Sequence, residues 1–129
     1  MDALQKSLLS ADVLIITFGT AWAYRHLALA KDVTNCQKVP AKAFEKRLLL
    51  LQEIADTFTE FHQLLQINNP GIRIILTVSP VRHLADTLSL NNLSKSVLRV
   101  ACHHLCSLKD VYYFPAFEIM NDDLQIGRA

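Results

Sequence analysis

Two kinds of hydrophobic pattern alternate along these 129 residues. The stretch Val13-Leu14-Ile15-Ile16-Thr17-Phe18 is an apolar, largely β-branched run closed by Gly19, which is how a strand buried on both faces reads. Ile72-Arg73-Ile74-Ile75-Leu76-Thr77-Val78 is a second such run. The turn cluster Asn68-Asn69-Pro70-Gly71 announces it, and Ser79-Pro80 closes it where proline ends the ladder. Asp110-Val111-Tyr112-Tyr113-Phe114, closed by Pro115, is a third and weaker run.

Between these runs the period changes to three and four. From Pro40 to Ile67, the residues Phe44, Leu48, Leu51, Ile54, Phe58, Phe61 and Leu65 predict one or two amphipathic helices. From Leu93 to Leu108, Val97, Leu98, Ala101 and Leu105 repeat the pattern, with Asn92 or Ser94 as cap. Asp2 to Leu9 reads as the end of another helix. Helices alternating with buried strands imply right-handed crossovers and a parallel sheet covered on both faces. About three strands are expected, few for a class in which about five or six are usual, so the sheet reads as incomplete.

Composition narrows the function classes. With 51% hydrophobic residues, the chain reads as a single globular domain over 1–129. Thirteen basic residues against 12 acidic ones give a net charge of +1 with no basic arm, which argues against a nucleic-acid partner. No membrane-length apolar stretch and no leader-like N-terminus are visible, so no membrane association and a cytoplasmic location are expected. Cys36, Cys102 and Cys106 form an odd set without a CxxC pair, which suggests free thiols.

In open parallel sheets the ligand crevice lies beyond the carboxyl ends of the strands, so the residues after each run carry the candidate chemistry. Gly19, Thr20 and Ala21 follow the first, where a sharp turn at glycine would present N–H groups to an anion; a plain turn is the alternative. Ser79, Arg82 and His83 follow the second and bring a hydroxyl, a guanidinium and an imidazole, or else a solvated loop. Glu118 follows the third. Cys36, beside Asn35, has no adjacent histidine to lower its pKa, so a packed or exposed thiol is the better reading. Cys102, His103, His104 and Cys106 have ligand chemistry, but the cysteines lie beside an apolar stripe and no second pair is evident. Neither a metal nor another cofactor is indicated.

Several of these strings are similar to the middle of a GSCFA-family domain, a bacterial family related to the SGNH (GDSL-type) hydrolases. They are Ile15-Ile16-Thr17-Phe18-Gly19-Thr20-Ala21-Trp22, Asn35-Cys36-Gln37-Lys38, Leu76-Thr77-Val78-Ser79-Pro80-Val81-Arg82-His83, Leu93-Ser94-Lys95-Ser96 and Tyr113-Phe114-Pro115-Ala116-Phe117-Glu118-Ile119. The resemblance implies a three-layer α/β/α, flavodoxin-like sheet and an ester or acyl ligand. It places Gly19-Thr20 at the oxyanion loop, with Ala21 where such hydrolases carry asparagine. It adds Asn35 and Lys95 to the candidate substrate-binding set and puts Gln37 where the family pattern has histidine. The family's Gly-Ser-Cys-Phe-Ala nucleophile motif and its Asp-x-x-His block have no counterpart in these residues, so this chain alone is expected to be inactive as a serine esterase. A non-catalytic ligand-binding module and a homo-oligomer built on open sheet edges are the other expectations.

Overall fold

The computed structural model describes residues 2–26, 31–33, 44–83 and 85–123. Helix α1 (Ala3–Ser10) leads into strand β1 (Val13–Phe18), followed by β2 (Trp22–His26), β3 (Lys31–Val33) and β4 (Phe44–Leu48). Helix α2 (Leu51–Asn68), strand β5 (Arg73–Val78), helix α3 (Leu88–Leu105), strand β6 (Val111–Tyr113) and the single turn α4 (Ala116–Glu118) complete the order, with a π-helical turn at Ile119–Asp123.

Local chemistry sets the helix starts. Asp2 accepts from the Gln5 N–H at 2.8 Å while the Gln5 side chain accepts from the Asp2 N–H at 3.2 Å, a capping box that makes α1 a complete short helix. The Glu53 carboxylate accepts from the Leu50 N–H at 2.9 Å and opens α2. Helix α3 begins at Leu88, capped by the Thr87 hydroxyl on the Leu90 N–H at 3.2 Å, not by Asn92 or Ser94. Periodicity alone misses this start because the buried face of the first turns carries the polar residues Asn91, Ser94 and Lys95 ahead of Leu98.

The three apolar runs form one parallel sheet in the order β1-β5-β6, in register from Val13↔Arg73 to Phe18↔Val78 and from Ile74↔Val111 to Leu76↔Tyr113, although β1, expected to be buried on both faces, alternates exposed and half-buried residues. This is the α/β class, in an incomplete version of the three-layer arrangement. Both crossovers, β1 to β5 through α2 and β5 to β6 through α3, step in the same direction, so a common hand lays both helices on one face. There Ile74, Leu76 and Val78 are buried against Phe58 and Leu65 of α2 and Leu98, Cys102 and Leu105 of α3. On the opposite face Ile15 is 65% exposed and Tyr112 51% exposed. Among the described residues only one face is covered by helices, where cover on both was expected, because a second layer needs a crossover running the other way.

A second, antiparallel sheet in the order β3-β2-β4 was not anticipated. Phe44 and Leu48 fit the helical phase of α2, yet they lie on β4, which pairs with β2 from Trp22↔Leu48 to His26↔Phe44. The cross-strand partner, remote in sequence, overrides a period that four residues cannot establish. This sheet leaves the main one directly after β1 and re-enters at α2, so it stands at the carboxyl ends of the parallel strands. No helix among the described residues is long and apolar enough to cross a membrane.

Candidate functional site

Strands β1 and β5 end together. The Ser79 N–H reaches the Phe18 carbonyl at 2.9 Å, extending the ladder by one bond before the two loops part. The loop from Gly19 to Trp22 is then held from below by α3. Ser94 Oγ accepts from the Ala21 N–H at 2.7 Å and lies 3.1 Å from the Thr20 hydroxyl, which itself accepts from the Trp22 N–H at 3.1 Å. Lys95 Nζ donates to the Gly19 carbonyl at 2.6 Å, and the Leu49 N–H reaches the Ala21 carbonyl at 2.8 Å.

The floor under this loop is polar and buried. Asn91, Ser94 and Lys95 are all buried, and their spacing of i, i+3 and i+4 puts them on one helix face. Leu98, Ala101, Cys102 and Leu105 continue the same stripe toward the other end of α3. Lys95 is 3% exposed and donates to an uncharged carbonyl, so burial lowers its pKa from 10.5.

The walls are set by charge pairs. Trp22 donates its indole N–H to the Leu90 carbonyl at 3.1 Å, and the Lys46 ammonium sits 4.8 Å from its ring. Lys46 also pairs with Asp86, tying the antiparallel sheet to the loop after β5. Beyond β6, Glu118 accepts from the Tyr113 hydroxyl at 2.6 Å and from Arg99 Nε at 3.1 Å, with Arg99 stacked 4.0 Å from the Tyr113 ring. Burial, then the Glu118 carboxylate, raise the Tyr113 phenol well above its ordinary 10.0.

Of the residues chosen from sequence, the structure gathers Gly19, Thr20, Ala21 and Lys95 around Ser94. Gly19 has no left-handed φ, and an added Cβ would meet nothing within 4 Å, so the turn does not require glycine. The Ala21 and Trp22 N–H groups are already committed to hydroxyls, which removes them as donors to an anion. Ser79 turns its hydroxyl back to the Val81 N–H at 3.1 Å. Arg82 and His83 are exposed on that same loop, and the His83 N–H makes only a long 3.5 Å contact with Asn91 Oδ1. Glu118 is occupied by Arg99 and Tyr113, and Asn35 lies outside the described residues, as do Cys36 and Gln37.

Cys102 is fully buried while His103 and His104 are exposed, so these side chains do not face a common point. Burial pushes the Cys102 thiol up from 9.0 to about 12 and raises Cys106 as well, the behaviour of packed and unreactive sulfur.

Sequence reading missed Asn91, Ser94, Lys46 and Asp86. A signal for the first two existed, because 91, 94 and 95 are in phase with 98, 101, 102 and 105. Nothing local signals the Lys46–Asp86 pair, whose members are 40 residues apart.

No curated protein sequence and no solved structure matches the chain. The model of the GSCFA family matches residues 1–129, the whole chain, and the strand-end loops with their α3 floor are built from the strings that suggested it: the protein belongs to the GSCFA family.

Proposed function

We propose that the crevice above β1 and β5 binds the acyl or ester part of a substrate and forms the oxyanion-loop portion of an SGNH-like hydrolase site. The observation that carries this reading is the buried floor of Ser94 and Lys95, which fixes Gly19, Thr20 and Ala21 at the carboxyl ends of the parallel strands. A loop held by side chains from a packed helix does not reorganise when charge develops beside it, which keeps the Thr20 side chain in place. Thr20 is the residue proposed to face the ligand, since the next two N–H groups are committed within the loop. In this reading the nucleophile and its Asp/His partners come from segments outside these residues, placed beside the open edge of β1.

Hydrolysis of a short-chain aryl ester tests it. The 129-residue chain is expected to be inactive, and a version carrying a Gly-Ser motif before it and an Asp-x-x-His block after it is expected to be active. Inactivity of the longer version counts against the hydrolase, and activity of the short chain counts against the need for other segments.

A second reading is a module that holds a small ligand without turning it over. The exposed Arg82 beside this crevice favours it. An Arg82→Ala variant that binds ligand as tightly as wild type would argue against it.

A further inference from the structure

A cavity of about 600 Å³ opens between β1 and α2, within the size range of about 300–1,000 Å³ common for small-ligand sites. Its wall is hydrocarbon: Ile16 and Phe18 from β1, Ile54, Phe58 and Phe61 from α2, and Leu98 from α3. Polar atoms occur at its edges. Glu53 lies at the rim but is clamped by Arg47 through bonds of 2.6 and 2.9 Å, which cancels its charge locally. Thr57 is exposed at the mouth. At the end toward the strand-end loop stands Thr20, whose hydroxyl rests on Ser94.

We propose that this cavity takes the hydrocarbon tail of an acyl ligand of medium chain length, with the carbonyl end of that ligand at Thr20. The inference rests on the acyl-binding reading above and adds the class of chain. Three features select this occupant. The lining offers no donor or acceptor along its length, so a sugar or nucleotide would lose hydrogen bonds to water without replacement. Of the polar side chains at its edges, Glu53 is paired with Arg47 and Thr57 lies at the solvent-exposed mouth, which leaves Thr20 to meet the polar terminus of a ligand whose tail runs along the apolar wall. That end is continuous with the proposed site, because Thr20 belongs to both.

The expected signature is a dependence of affinity on chain length. Each methylene removed from water is worth about 0.8 kcal/mol, or about fourfold in affinity, so lengthening a ligand by four carbons gains at most on the order of a hundredfold. Trp22 is the only tryptophan and touches Thr20 through its N–H, so its fluorescence reports occupancy without any turnover. Butyrate and octanoate are titrated against the full chain and against Thr57→Phe, which fills the mouth from an exposed position. Wild type is expected to bind octanoate at least tenfold more tightly than butyrate, and Thr57→Phe to lose that preference. Thr57→Leu replaces Thr57→Phe if the latter does not fold. Equal affinities in wild type overturn the proposal, as does an octanoate preference that survives blocking. A second copy covering the groove would show as octanoate affinity that falls with protein concentration and a sedimentation coefficient changed by the Thr57 variant, and this too overturns it. The hydrolase reading fails separately: chain-length-dependent binding with no hydrolysis by the extended version removes the enzyme and leaves the cavity.

Discussion

Ser94 concentrates the site in one oxygen. Its hydroxyl joins a buried N–H on Ala21 to the Thr20 side chain. Ser94→Ala is expected to cost about 1–3 kcal/mol, the penalty for leaving a buried donor unpaired, measured as a shift of the urea midpoint. Lys95 and Cys102 make opposite statements about alkaline pH. The Lys95 amine has a folded pKa below its ordinary 10.5, so the folded state holds fewer protons and its contribution to stability grows as pH rises toward 10.5. The Cys102 thiol has a folded pKa of about 12 against 9.0, so above 9.0 the unfolded chain releases a proton that the folded chain keeps, and stability falls. Denaturation between about pH 8 and about pH 10 is therefore expected to show a steeper alkaline loss in Lys95→Met than in wild type, and a shallower one in Cys102→Ala. Identical slopes in all three proteins would contradict both burial effects. At this scale Gly19, Thr20 and Ala21 were picked out because they follow a strand end, and Lys95 only because it lies in a string similar to the family. Ser94 was legible only as a cap candidate, since hydroxyls are common at helix starts and the true cap, Thr87, had no apolar periodicity before it.

Helix α3 is two half-helices in function. Its first half, through Asn91, Ser94 and Lys95, holds the loop after β1, and its second half, through Leu98, Ala101, Cys102 and Leu105, fills the core. One amphipathic stripe thus gives both site and stability. The antiparallel sheet acts through the Lys46–Asp86 pair, which holds β4 against the loop after β5. Asp86 is nearly buried, so Asp86→Asn leaves the ammonium beside Trp22 without its counter-charge. A loss of about 1–3 kcal/mol is expected, together with a red-shifted Trp22 emission as the ring becomes wetter. An unchanged emission spectrum would mean that the pair does not position the ring. The helical spans of α2 and most of α3 could be read because 18 residues sample five turns of the period. Strands β2 and β4 could not, because five residues with alternating character are equally compatible with the flank of a helix until their partner is known.

Among the described residues the parallel sheet is covered by helices on one side. Strand β1 has the apolar sequence of an interior strand, yet among the described residues it stands at the edge of the sheet with no charge, proline or bulge to protect it. The bare face beside it carries the most exposed side chain of the strand, Ile15. Self-association at high concentration is expected through this face, and Ile15→Lys is expected to abolish it while changing stability by no more than about 0.5 kcal/mol. Sedimentation velocity checks this, and a wild type that stays monomeric at all concentrations refutes it.

What the amino-acid order determined by itself was the set of parallel strands and the family to which they belong, because apolar runs bounded by turn residues are local and strong. Tertiary structure alone decided the rest. The direction of two successive crossovers determined that α2 and α3 share a face, and pairing between distant strands drew Phe44 and Leu48 out of a helical phase. Burial of a polar stripe on α3 turned an ordinary strand-end loop into a fixed one. Each depends on groups far apart in the chain, whose contacts no local pattern can encode.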